Sequence, residues 1–129
     1  MNNIKTISTN NAPLAIGPYV QAKEVNGLVY TSGQLPMNPK TGDIESGIIS
    51  QTHQSLKNVK AIIEEAGCTM DSILKVSVFL DSMEDFAEMN SVYETYFPNS
   101  KPARTALEVA KLPLNARVEI EAIAFRCDG

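Results

Sequence analysis

The sequence predicts an α+β fold, a mixed five- to six-stranded sheet with two helices packed on one face. Three observations carry this expectation. Several short segments alternate apolar and polar residues with period two, the mark of half-buried strands. Two longer segments repeat their apolar residues at spacings of three and four, the mark of amphipathic helices. The elements run in the order β-β-β-α-β-α-β-β, and two such helices can cover only one face of a sheet that wide.

A short first strand is expected near Ile4 to Ser8. Residues 10–18, NNAPLAIGP, read as loop. Residues 19–33 read as a β-hairpin around Asn26-Gly27, because a type I′ turn needs positive φ at both central positions. That turn sets Val25 opposite Leu28, Lys23 opposite Tyr30, Gln21 opposite Ser32 and Tyr19 opposite Gln34. Val20, Ala22, Val29 and Thr31 then share one face. Residues 34–47, with two prolines and two glycines, form a turn-rich loop. Residues 50–66 read as a helix through Leu56, Val59, Ile63 and Ala66, with Gly67 placed to end it in a left-handed conformation. Residues 73–81 read as a strand with Leu74, Val76, Val78 and Leu80 on one face. Residues 83–96 read as a second helix, with Ser82 as N-cap, Asp85 supporting the first turn, and Phe86, Met89, Val92 or Tyr93, and Tyr96 as its apolar stripe. Residues 103–110 and 116–126 read as two strands around the short loop KLPLN.

Composition narrows the chemistry. The 129 residues suit one domain spanning 1–129, large enough for a core without disulfides or metals. Lys and Arg number 11 against 15 Asp and Glu, a net charge of −4 that suits phosphate backbones poorly. With His53 as its one histidine, a subunit cannot build a metal site from several. Cys68 and Cys127 lie far apart and form no CxxC pattern, which points to a reducing compartment; neither is expected to act. His53 reads as a packing or surface residue. No apolar run is long enough for a membrane span, and the N-terminus shows no secretory signal. Chemistry here must rest on a carboxylate, an arginine, a hydroxyl, backbone groups and water.

One surface stands out. Away from the helices, Tyr19, Tyr30, Ile123 and Phe125 are expected beside Arg104, Glu108, Arg117, Glu119 and Glu121. Such a face is too apolar to be wet and too charged to be a core, so self-association is expected. If the last two strands pair with Arg104 opposite Glu121, Ala106 lies opposite Glu119 and Glu108 opposite Arg117, with Arg104 diagonal to Glu119. Two readings stay open. Arg104 could hold a substrate carboxylate in its planar fork while Glu119 holds or activates a water. Alternatively Arg104, Arg117, Glu119 and Glu121 form an interfacial salt-bridge network, the commoner role of such clusters.

The segments AIGPYVQA (15–22), VYTSGQLPMNPKTG (29–42), PARTALEVAKLP (102–113) and VEIEAIA (118–124) resemble the RidA subgroup of the YjgF family, the reactive-intermediate imine deaminases. The likeness runs over essentially the whole chain. It implies a chorismate-mutase-like α+β fold and a homotrimer with its sites in the clefts between subunits. It implies hydrolysis of 2-imino acids and their 2-enamino tautomers, such as 2-iminobutanoate and 2-aminoacrylate, to 2-oxo acids and ammonia. That activity protects pyridoxal-phosphate enzymes from damage. No cofactor, metal, nucleic acid or membrane is implied, and the location would be cytoplasmic.

By position, Arg104 in PARTALEV matches the arginine that clamps the substrate carboxylate, and Glu119 in VEIEA the glutamate that positions the hydrolytic water. Tyr19, Ser32 and Gly33 match pocket-lining positions, and Asn90 a residue near the cleft. The backbone carbonyl of Ala106 matches one that faces the imine nitrogen. Many relatives carry cysteine there; ARTA at 103–106 removes any thiol-dependent activity from expectation. The alternative reading is a regulatory module that binds a small carboxylate or a protein in purine or isoleucine metabolism. Ribonuclease action, also linked to relatives, is disfavoured by the net charge of −4 and the lack of paired histidines.

Overall fold

The computed structural model describes residues 3–126. Its elements are β1 (Lys5–Ile7), β2 (Ala22–Val25), β3 (Leu28–Thr31), α1 (Ile48–Glu65), β4 (Ile73–Leu80), α2 (Phe86–Tyr93), β5 (Ala103–Glu108) and β6 (Val118–Phe125). This is the predicted order. Short 3-10 turns precede β4, flank α2 and precede β6. The strands form one six-stranded sheet in the order β1-β2-β3-β6-β4-β5. All neighbours are antiparallel except β4 and β5, which are parallel.

The hairpin forms as its turn chemistry requires. Asn26 and Gly27 both have positive φ, 52° and 84°, and Val25 pairs with Leu28 and Lys23 with Tyr30. The ladder ends at Ser32, whose N–H donates to the Gln21 carbonyl. Tyr19 does not reach Gln34. Gly17, at φ 127°, turns the chain away, and Gln34 pairs with Ile120 instead. Beside Ala22 on the buried side of β2 sits Glu24, its charge met by Arg126 at 2.8 Å.

Helix α1 starts two residues earlier than predicted, after Gly47 at φ 83°. Its end follows expectation. Gly67 is left-handed at φ 88°, its N–H donates to the Glu64 carbonyl, and the Cys68 N–H donates to the Ile63 carbonyl at 2.8 Å. These bonds satisfy carbonyls that a helix end leaves open. Leu56, Val59, Ile62 and Ile63 pack on Val76, Val78, Leu80, Val118 and Ile120 of the sheet. A polar strip on the same helix is buried too. Asn58 donates to the carbonyls of Leu35 and Met37, and Gln51 to that of Glu45, which fastens the 34–47 loop against α1.

The second helix is shorter than 83–96, because 3-10 turns at Met83–Asp85 and Glu94–Tyr96 flank a two-turn α-helix. Ser82 caps it as expected, accepting from the Glu84 N–H at 3.1 Å. Asp85 is buried and takes a different role, accepting two bonds from the Arg117 guanidinium at 3.0 and 2.7 Å. In β4 an irregularity between Ile73 and Lys75 turns Leu74 out to solvent, so Ile73 joins Val76, Val78 and Leu80 inside.

The largest correction concerns the last two strands. β5 and β6 do not pair; β4 lies between them. Arg104 is registered with Val76, and Glu121 with Ser77. The nine residues from 109 to 117 make no tight hairpin, and Leu114 and Asn115 both sit at φ 57°. The physical reason is burial. β4 and β6 each bury every second residue and belong in the middle, whereas β5 buries none fully and suits an edge.

Gly67→Ala is expected to lower the unfolding free energy by about 1–2 kcal/mol, the cost of a left-handed L-residue. The added Cβ would also lie 3.1 Å from Arg126 Cδ. Urea denaturation at neutral pH measures the loss directly.

Candidate functional site

Registered partners in a sheet point to the same face. Arg104 and Ala106 are registered with buried Val76 and Val78, so both point to the helix side. Glu119 is registered with Phe79, and both point to the open side. One chain therefore keeps Arg104 and Glu119 on opposite faces, against the expectation that they share one. Glu108 follows Arg104 to the helix side, where its carboxylate accepts from the Met83 N–H. Arg117 lies just outside β6 on Asp85. Among the described residues Arg117 pairs with Asp85 and Arg104 with Asn90, so Arg104, Arg117, Glu119 and Glu121 form no joint ion network within one chain.

On the open side, Glu119 stands at the start of β6. Two backbone bonds between Gln34 and Ile120, at 2.7 and 3.1 Å, draw residues 33 and 34 against it. Gly33 leaves the space that the Glu119 side chain occupies. A Cβ at that position would overlap the Glu119 carboxylate, with Cδ only 2.9 Å away. No hydrogen bond or ion pair reaches this carboxylate among the described residues. Burial raises its pKa above the usual value, and the negative charge of Glu121, two residues on along the same face, raises it further.

Tyr19 and Gly33 line an apolar cleft of about 180 Å³ with Ile16, Leu35, Met37 and Leu114. The Tyr19 N–H donates to the Gly17 carbonyl at 2.9 Å, and its ring is half exposed. Ser32 stands behind them. Its hydroxyl donates to the Val20 carbonyl at 2.6 Å, so it holds the Tyr19 loop and retains acceptor capacity only.

On the helix side, the Arg104 guanidinium is held from three directions. Nη1 donates to Asn90 Oδ1 at 2.6 Å. The carbon at its centre lies 4.7 Å from the Tyr93 ring and 5.5 Å from the Phe86 ring. Phe86, Asn90 and Tyr93 lie four and three residues apart on α2, hence on one helical face. Asn90, Tyr93 and Arg104 share a cleft of about 380 Å³ with Phe97, Lys101 and Pro102. The sequence shows Phe86 and Tyr93 only as members of an apolar stripe. Asn90 between two aromatic residues on that stripe is the signal that could have marked them as an arginine cradle.

Ala106 presents its backbone outward. The Val109 N–H donates to the Leu80 carbonyl at 2.9 Å, so in this parallel ladder Ala103, Thr105 and Leu107 turn their backbone groups toward β4. Arg104, Ala106 and Glu108 turn theirs to the free edge. His53 lies elsewhere, its Nδ1 2.9 Å from the Tyr96 hydroxyl, a link between α1 and the end of α2. Cys68 is buried in the core, and Cys127 lies outside the described residues. Among the described residues, no group of His, Cys, Asp and Glu could hold a metal ion, and no helix is long and apolar enough to cross a membrane.

Comparisons with known proteins fit these features. Residues 9–126 match the family described as Endoribonuclease L-PSP. The chain is 50% identical over 125 residues to the 2-iminobutanoate/2-iminopropanoate deaminase of Escherichia coli, covering 95% of this chain and 98% of that one. It is 50% identical over 123 residues to a RutC family protein of Pyrococcus horikoshii, with the same coverage. Among solved structures, the YjgF gene product of E. coli superposes with a TM-score of 0.93 at 49% identity, covering 95% and 99% of the two chains. E. coli TdcF with bound serine superposes with a TM-score of 0.93 at 44% identity and the same coverage.

The raised pKa of Glu119 has a consequence for stability. Folding disfavours its ionised form, so the cost is fully present above the raised pKa and vanishes below the usual value of 4.5. Glu119→Gln is therefore expected to raise Tm at neutral pH, with a gain that shrinks as pH falls through that window. Scanning calorimetry of both proteins across pH checks it; equal Tm at neutral pH would count against a desolvated carboxylate.

Proposed function

The chain belongs to the Endoribonuclease L-PSP family, and from that premise we propose that it is a cofactor-free 2-iminobutanoate/2-iminopropanoate deaminase, acting as one RidA-like domain over residues 1–129. Its substrates are small 2-imino acids and their 2-enamino tautomers, and its products 2-oxo acids and ammonia. The observation that carries this reading is the Arg104 cradle. A guanidinium oriented by Asn90, Tyr93 and Phe86 spends one of its five donors on Asn90, so the rest of its fork can take a carboxylate.

The mechanism needs little more. Arg104 binds the carboxylate and thereby fixes the imine carbon. The Ala106 carbonyl, at the free edge of β5, accepts an N–H of the iminium, the more electrophilic form. A water beside Glu119 attacks the imine carbon as its proton passes to the carboxylate, giving a carbinolamine. Glu119, its pKa raised by burial, then gives that proton to the nitrogen and takes the carbinol hydroxyl proton in exchange as the C–N bond breaks and the C=O bond forms; this last proton passes to solvent. Ammonia leaves, and the 2-oxo acid remains on Arg104. Tyr19, Ser32 and Gly33 shape the cleft on the Glu119 side, and Asn90 the Arg104 side.

Glu119 and Arg104 can meet only if a second copy supplies one of them. Such a contact sets the β5 edge of one subunit against the open face of another, two different surfaces, and heterologous contacts form a ring when the rotation between subunits closes. The proposed ring is a homotrimer with three sites between subunits. This reading implies a cytoplasmic location, where released 2-imino acids would otherwise damage pyridoxal-phosphate enzymes. Nothing in the site favours a phosphodiester substrate: the net charge is −4 and His53 is taken up by Tyr96.

The direct test mixes the protein with a threonine dehydratase and a competing amine trap, and follows 2-oxobutyrate. The protein should divert imine from the trap, and Arg104→Ala should lower that effect by roughly 100-fold or more, in line with loss of a charge-assisted bidentate contact. No diversion by the unaltered protein would refute the activity.

A second experiment tests the shared site. Arg104→Ala and Glu119→Gln proteins, each inactive alone, are unfolded, mixed in equal amounts and refolded. If each site joins Arg104 of one subunit to Glu119 of the next, every mixed trimer has one intact site, and about a quarter of normal activity returns. Sites built within one chain would restore none.

A further inference from the structure

We propose that Tyr93 is a positioning residue, whose ring face sets the orientation of the Arg104 guanidinium and so governs how tightly the site holds any 2-imino or 2-oxo acid. The inference rests on the reading of Arg104 as the carboxylate clamp.

The geometry is specific. Tyr93 is the nearer of the two rings, 4.7 Å from the guanidinium carbon. Phe97 packs on Tyr93 with ring centroids 4.8 Å apart, so the Tyr93 ring is itself held. Its hydroxyl is buried and has no hydrogen-bond partner among the described residues. A buried hydroxyl without a partner is a cost, so the ring, not the oxygen, is what this position supplies to Arg104. Burial raises the Tyr93 pKa even against the pull of Arg104, so the ring stays neutral and the contact is cation–π rather than an ion pair. The Asn90 bond fixes one corner of the planar guanidinium. Two rings and one bond define its plane, and a bidentate contact depends on that plane.

The carboxylate keeps its charge throughout the reaction. Its contact with Arg104 is then equally strong in substrate and transition state, and such uniform binding sets KM rather than kcat. A Tyr93 whose role was structural alone would not move KM selectively.

The test uses full-length Tyr93→Phe and Tyr93→Leu proteins. KM and kcat are measured with 2-iminobutanoate supplied by a dehydratase, and Kd is measured with 2-oxobutyrate. The Nε–H resonance of Arg104 is followed by NMR, where ring currents act on it. Tyr93→Phe should leave KM and Kd within about twofold and raise Tm, since it removes the unpartnered hydroxyl. Tyr93→Leu should raise KM and Kd about tenfold with kcat within about threefold, and should shift the Arg104 resonance. If Tyr93→Leu does not fold, Phe86→Leu, at the half-buried outer ring, should raise KM a few-fold with the same spectral shift. Unchanged KM and Kd in Tyr93→Leu, or a Tyr93→Phe protein as impaired as the leucine variant, would overturn the proposal. So would a Phe86→Leu protein, in the fallback case, with neither effect. An unaltered protein with no imine hydrolysis would overturn the deaminase reading instead, while the NMR shift would still report on the cradle.

Discussion

Parallel pairing of β5 with β4 is the constraint on which the rest of the site depends. Two parallel neighbours need a crossover, and here it runs through α2, which must pack on the sheet face it crosses. Once β5 is registered with Val76 at Arg104, side-chain alternation sends Arg104 toward that same helix. The helix then surrounds it with Phe86, Asn90 and Tyr93. The same register leaves the Ala106 carbonyl at the sheet edge. β6, inserted between β3 and β4, turns Glu119 to the other face. A single topological choice thus positions each half of the proposed site and keeps the halves apart within one chain.

The two charged groups are treated in opposite ways. Arg104 is given partners that favour its charge: an amide oxygen and two aromatic faces. Glu119 is given an environment that disfavours its charge, with partial burial and a second carboxylate on the same face. The first arrangement suits the proposed role of a fixed binding group, the second the proposed role of a group that accepts and returns a proton. The Asp85–Arg117 pair joins the two regions mechanically. It ties the start of α2, which carries the cradle, to the entrance of β6, two residues before Glu119. The Arg117 side chain is nearly half exposed, so this pair serves geometry more than stability.

Much of the fold was legible because it is local. The Asn26-Gly27 turn, the Gly67 helix stop, the Ser82 cap and the element order all follow from short-range sterics and hydrogen bonding. The open face was legible in outline, since Tyr30, Glu119, Glu121 and Ile123 do share it. Charge patterning raised Arg104 and Glu119 as one of two open readings, and the resemblance in the PARTALEV and VEIEA segments chose between them and added Tyr19, Ser32, Gly33, Asn90 and Ala106. Pattern alone placed Arg104 beside Glu119, because two adjacent strand-like segments invite the simplest pairing. The error was one of register between distant segments. The slip at Leu74 had a local origin, a strand irregularity with no mark in an otherwise apolar run.

By itself, then, the sequence determined which segments are strands and helices and where the tight turns and helix ends fall, and it narrowed the available chemistry to a carboxylate, an arginine, a hydroxyl, backbone groups and water. These depend on residue type and on neighbours within a few positions, so they can be read along the chain. Only the tertiary structure decided that β4 separates β5 from β6 and that Arg104 and Glu119 face opposite ways. It also decided that Phe86 and Tyr93 cradle a guanidinium and that Gly33 leaves room for a carboxylate. Those outcomes depend on which strand buries the most apolar surface in the middle of the sheet. That is a competition among elements far apart in sequence, and no local pattern records its result.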